Sequence, residues 1–133
     1  MIVELAEAIT QQYKADIVLK NALTMYYEQA PEESTGDYCT FYILGGSRDE
    51  IMGDADDCIK NVDVQFNIFS DATDGGETIA MLKKYLSTCY NWVTLRVDGY
   101  GCIKMEPVSW SAMPVRDNIR QITVIYEAGI QKE

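Results

Sequence analysis

The chain has 133 residues, a formal net charge of −10, and 24% charged against 47% apolar residues, the proportions of one globular domain with its own core. An acidic balance of this size repels nucleic-acid phosphates and anionic membranes, because gripping a phosphate backbone needs lysine and arginine to displace counterions. Histidine is absent, which removes Ser-His-Asp and Cys-His catalysis together with imidazole acid–base work near neutral pH.

In chain order, Ile2, Leu5, Ala6, Ile9 and Tyr13 recur at helical spacing and predict a helix near residues 3–14 with one apolar stripe. Glu4 and Glu7 stand where a secretory signal would need basic residues and then an apolar stretch, so the chain reads as made and folded in a cytoplasm. Asp16 is placed to cap a further turn or two through Ile17 to Leu23. Met25 to Gln29 has the look of a short strand closed by Pro31, and residues 31–37 that of an exposed loop. Tyr38 to Leu44, rich in aromatic and branched residues, is strand-like and ends at Gly45-Gly46.

The clearest alternation lies in 59–69. Val62, Val64, Phe66 and Ile68 point one way, while Asn61, Asp63, Gln65 and Asn67 point the other, which predicts a strand with one buried and one wet face. Asp74, followed by Glu77 three residues later, fits a capping box opening a helix over 76–89, with Ile79, Leu82, Leu86 and Cys89 as its apolar stripe. Val93, Leu95 and Val97 alternate, Asp98-Gly-Tyr-Gly101 turns the chain, and Cys102 to Trp110 returns as a strand. After a break at Met113-Pro114, Ile122, Val124 and Tyr126 mark a last strand. The expected fold is α+β: a mostly antiparallel sheet of four to six strands with two main helices packed on one face, formed as a single domain over residues 1–133.

Little in this order carries chemistry. Cys39, Cys58, Cys89 and Cys102 are widely spaced with no C-x-x-C pair, so they read as small, buried, reduced side chains and not as zinc ligands. Between Glu28 and Glu77 thirteen acids face only Arg48 and Lys60, a net of −11, and the rest of the chain carries +1. Asp49, Glu50, Asp54, Asp56 and Asp57 sit in the densest part of that segment. They could offer oxygen ligands to magnesium or calcium, but lack the EF-hand spacing, and a solvated acidic turn explains them at least as well. Gly45-Gly-Ser-Arg48 lacks the spacing of a phosphate-binding loop. Trp110, beside Ser111-Ala-Met-Pro114, is the aromatic expected to be exposed; with Met113, Arg116 and the four aspartates it makes up the candidate protein-interface set. No catalytic residue and no cofactor site follows from these patterns.

Read as a whole, the chain resembles the tail-completion or tail-terminator proteins of long-tailed bacteriophages and prophages. The resemblance rests on the helix ending near Leu23, the stretch Met25-Tyr-Tyr-Glu-Gln-Ala-Pro31 and the strand Tyr38 to Leu44. It continues through Asn61 to Asp71 leading into a helix, and Pro114-Val-Arg-Asp117 before the last strand. What it implies is a structural virion protein: a ring, hexameric in this family, that caps the head-proximal end of the tail tube and ends its elongation. Its partners would be further copies of itself, the major tail-tube protein and the head–tail connector or neck protein, with DNA passing through unbound. The alternatives are a head-closure or neck protein of the same virion, a small divalent-metal-dependent enzyme using the Asp49–Asp57 carboxylates, and a cytosolic ligand-binding module.

Overall fold

The computed structural model describes residues 2–31, 35–44, 59–99 and 101–131. Its elements run α1 (Ile2–Ala15), α2 (Ile17–Ala22), β1 (Thr24–Tyr27), β2 (Tyr38–Leu44), β3 (Ile59–Ser70), α3 (Glu77–Tyr90), β4 (Thr94–Val97), β5 (Gly101–Arg116) and β6 (Ile119–Gln131). The six strands form one sheet in the order β1-β2-β3-β6-β5-β4.

Residue alternation decides which face of this sheet is covered. Along β3, Val62, Val64, Phe66 and Ile68 are buried; their register partners on β6, Ala128, Tyr126, Val124 and Ile122, are buried with them. Cys39 and Phe41 on β2, Leu95 and Val97 on β4, and Ile103 and Met105 on β5 complete the same face. Onto it α1 sets Leu5, Ala6 and Ile9, while α3 sets Ile79, Leu82, Leu86, Cys89 and Tyr90, and all of these belong to one core cluster. A strand of period two and a helix of period 3.6 thus meet on their apolar sides.

Local chemistry sets the ends of the helices. Asp16 breaks α1 from α2 and accepts a hydrogen bond on Oδ1 from the Leu19 amide at 3.0 Å, as an N-cap does. The capping box expected at α3 does not form: Gly76 occupies the N-cap position with φ 92°, and Glu77 is already the first helical residue. Asp74 instead reaches past it to Thr78, accepting from the backbone amide at 3.1 Å and from the hydroxyl.

Three further expectations need correction. The sheet is mixed, because β1 runs parallel to β2 while the other four pairings are antiparallel. Because β1 and β2 share a direction, the link from Tyr27 to Tyr38 is not a hairpin turn. The described residues form three helices and not two, α2 being a separate short one. Finally, β5 does not stop at Met113-Pro114 but runs on to Arg116, with register irregularities at 107/109 and 113/116 that accommodate both prolines. Asp117 and Asn118, at φ 54° and 63°, then close a two-residue turn into β6. Positive φ at both central positions is what a type I′ hairpin turn requires.

The consequence for stability is uneven. Phe66 is fully buried among aromatic rings, whereas Trp110 is 58% exposed. Phe66→Ala is expected to lower unfolding free energy by about 3–5 kcal/mol in urea titrations, and Trp110→Ala by no more than about 0.5 kcal/mol, as for an ordinary surface position. Comparable losses from the two would contradict this division.

Candidate interaction surface

With the helices on one side, no other described element packs on the opposite face of the sheet, and the register defines what that face presents. Tyr38, Phe69, Gln121 and Met113 form one row across β2, β3, β6 and β5. Thr40, Asn67, Thr123 and Ser111 form the next, followed by Tyr42, Gln65, Ile125 and Ser109, and then Leu44, Asp63, Glu127 and Glu106. The first row is aromatic on β2 and β3, with the Tyr38 and Phe69 rings stacked at 4.9 Å. The last places three carboxylates side by side, an arrangement that costs rather than stabilises when like charges sit directly opposite.

Between them lies a polar centre, which corrects the expectation that Asn67 is wet: Asn67 is 5% exposed and Thr40 only 4%. Asn67 Oδ1 accepts from Thr123 Oγ1 at 2.8 Å, from Gln65 Nε2 at 3.1 Å and from Gln121 Nε2 at 3.4 Å. One oxygen therefore ties neighbouring strands together. Thr40 Oγ1 is buried with no hydrogen-bond partner among the described residues.

At the far end of this face the β5–β6 hairpin forms an arm. From Val108 to Ile119 every residue is exposed, among them Val108, Trp110, Met113, Val115 and Ile119. Trp110 points to the helix side, where Lys83 Nζ lies 4.5 Å from its ring centroid, a cation–π contact. Met113 and Arg116 point to the open side and, with Tyr38, Phe69 and Ile119, line a recess of about 300 Å³. The structure thus gathers Trp110, Met113 and Arg116 on one hairpin. Asp49, Asp54, Asp56 and Asp57 lie outside the described residues.

Sequence reasoning overlooked Trp92, which is 56% exposed at φ 60° with Lys104 Nζ 5.4 Å from its ring centroid. Nothing in its local pattern separates it from the core aromatics around it. It also counted Cys102 among the buried thiols, whereas Cys102 is exposed and Cys39 and Cys89 are buried. Cys102 alternates with Gly101 and Ile103, both of which face the core.

Catalytic assemblies are not what these groups form. Desolvation by burial pushes the Cys89 thiol up to about 12 and the Cys39 thiol higher still, so neither is a thiolate at neutral pH. Burial raises the Tyr90 and Tyr126 hydroxyls as well, and they donate to Ile9 O at 2.7 Å and to Asn91 Oδ1 at 2.5 Å. Among the described residues no three acidic, cysteine or histidine side chains are grouped to hold a metal ion. No helix among them is long and apolar enough to cross a membrane. A groove of about 490 Å³ between α1 and β4 is lined by Glu4, Glu7, Gln11, Gln12, Arg96 and Asp98 without converging on a reactive group.

No protein-family model matches the chain, and neither does any curated protein. Solved structures do. A chain of the virion of a native gene transfer agent particle superposes with a TM-score of 0.72 at 19% identity, over 94% of this chain and 92% of that one. A second solved chain also reaches 0.72, at 14% identity over 96% and 94%. At such identities the likeness establishes a common fold.

The buried thiols fix the sign of one pH effect. Because folding raises the pKa of Cys89 from an ordinary 9.0, its contribution is complete below about pH 9 and is lost as pH climbs toward about 12. Urea midpoints should therefore be level on the neutral side and fall above pH 9, and Cys89→Ala should flatten the early part of that fall. In the native protein at mildly alkaline pH, a thiol reagent should modify Cys102 well before Cys39 or Cys89. Equal rates would show that the two buried thiols are not protected.

Proposed function

We propose that this chain is a structural virion protein of a tailed phage or phage-like particle, and that it assembles as a ring at the head-proximal end of the tail tube. There it ends tube growth and presents the joining surface for the head. The observation that carries the reading is the fold shared, over nearly the whole of both chains, with a component of a gene transfer agent virion. The sequence resemblance to tail-terminator proteins supports the finer position on the tail. The surface is also of the right kind: an open sheet face and a hairpin arm bearing Val108, Trp110, Met113, Val115 and Ile119 suit contact with other proteins.

Ring formation has an electrostatic cost that gives the reading a handle. Six copies at −10 each bring together a formal −60, and self-repulsion opposes closure in dilute, low-salt buffer. Salt shortens the Debye length to about 8 Å at physiological strength, and magnesium can sit between neighbouring carboxylates.

The protein is therefore expected to be a monomer or weak oligomer at low salt and to form rings at high protein and magnesium concentration, or on the ends of purified tail tubes. Electron microscopy of tubes mixed with the protein tests the reading directly. Blunt-capped tubes that no longer elongate support it. Binding to heads alone would move the protein to the neck, and a chain that neither assembles nor binds tubes under any condition sinks the reading. If Asp54, Asp56 and Asp57 line a subunit junction, changing the three to Asn should lower the magnesium needed for assembly. An unchanged requirement would place them away from it.

A further inference from the structure

The arm has one property that its exposed side chains do not exhaust: an open edge. β5 is flanked on one side by β6 along its length, but on the other β4 reaches only Lys104, and Val93 only Met105. From Glu106 to Arg116 no strand lies on that second side among the described residues. Alternate residues of an edge strand direct both N–H and C=O outward, where they can pair with another strand. Both prolines of this stretch sit at its ends, and the six residues between them, Val108 to Met113, carry no charge.

We infer that this edge pairs with the same edge of a second copy, antiparallel and two-fold symmetric about Ser111, joining two sheets into one. Side-chain complementarity singles out that register. An axis at Ser111 sets Glu106 of one copy opposite Arg116 of the other, twice over, and both residues stand on the open face of the sheet. It sets Trp110 opposite Ala112 and Met113 opposite Ser109, a large side chain against a small one in each case. The two register irregularities, at 107/109 and 113/116, lie about equally far from Ser111, so the extra residue on one strand meets the extra residue on the other.

Neighbouring registers fail on the same criteria. Moving the axis to Trp110 stacks the two tryptophans on each other and puts Arg116 opposite Lys104, like against like. Moving it to Ala112 places Glu106 opposite Asn118 in the turn. A shift by one residue is excluded by the pleat, which would set the open-face row against the helix-side row. The pairing stands apart from the ring reading: a two-fold contact joins two free copies or two rings face to face, and is not the head-to-tail contact between neighbours around a ring.

Residue 111 supplies the test. Directly opposed residues of an antiparallel pair have Cα atoms about 4.5–5.5 Å apart, within disulfide reach, whereas the two copies of residue 109 would be separated by about 13 Å along the strands. In a Cys102→Ser background, Ser111→Cys should give a disulfide-linked dimer under mild oxidation, and Ser109→Cys should give no more than the background chain. By sedimentation equilibrium, Glu106→Arg and Arg116→Glu should each weaken dimerisation roughly tenfold, and the two together in one chain should restore it. Equal cross-linking at 109 and 111, none at 111, or a double variant as weak as the singles would overturn the pairing. Ring assembly by the parent chain in the same experiments would leave the ring reading standing without it.

Discussion

Phe66 lies fully buried at the middle of β3 with three aromatic rings around it, and much of the remaining structure is a response to that arrangement. Tyr90 at the end of α3 is 4.8 Å away between ring centroids, Tyr126 on β6 is 5.6 Å and Phe41 on β2 is 5.8 Å. Such pairs add about 0.5–1.5 kcal/mol each beyond simple burial. Two of the rings carry hydroxyls that must be satisfied where they are buried. Tyr90 reaches the Ile9 carbonyl on α1, and Tyr126 reaches Asn91 just past α3. Satisfying the cluster therefore brings α1 and α3 to the same side of the sheet, and no described helix packs on the opposite face.

How much of this was legible depends on the length of the pattern. Val62, Val64, Phe66 and Ile68, marked by alternation, Ile79, Leu82 and Leu86, marked by the helical stripe, and Ile122 and Val124 on the last strand are all buried. Those signals are long and each is repeated several times within its element. The parallel pairing of β1 was not legible, because four residues carry no direction and the partner is chosen by the connection. The missing capping box has a similar cause. Asp74 and Glu77 have the spacing, but Gly75 and Gly76 both adopt positive φ, and the N-cap falls on Gly76, two residues past Asp74.

The hairpin arm was half legible. Trp110, Met113 and Arg116 were recognisable as outward-facing, but Pro114 was read as a break where the edge of a sheet tolerates it, since an edge residue has no obligatory partner for its missing N–H. Asp117-Asn118 was the signal that could have extended the strand, for both residue types accept positive φ. The buried polar centre around Asn67 was beyond reach. Alternation assigns a face, and it says nothing of how deeply neighbouring side chains bury a residue on that face.

A long unpaired edge is ordinarily a hazard, and the distribution of charge shows how the hazard is managed here. The chain as a whole is at −10, so two copies meeting at random repel one another before any backbone groups can pair. The arm itself from Pro107 to Val115 is uncharged, bracketed by Glu106 and Arg116. Within that bracket only the arrangement that brings opposite ends together offsets part of the repulsion, while a slip along the strand meets Lys104 or loses the pairs. Long-range charge thus discourages indiscriminate edge contact, and the short-range pattern admits one register. Specificity arises from the difference between the two, because backbone hydrogen bonding by itself is open to more than one register.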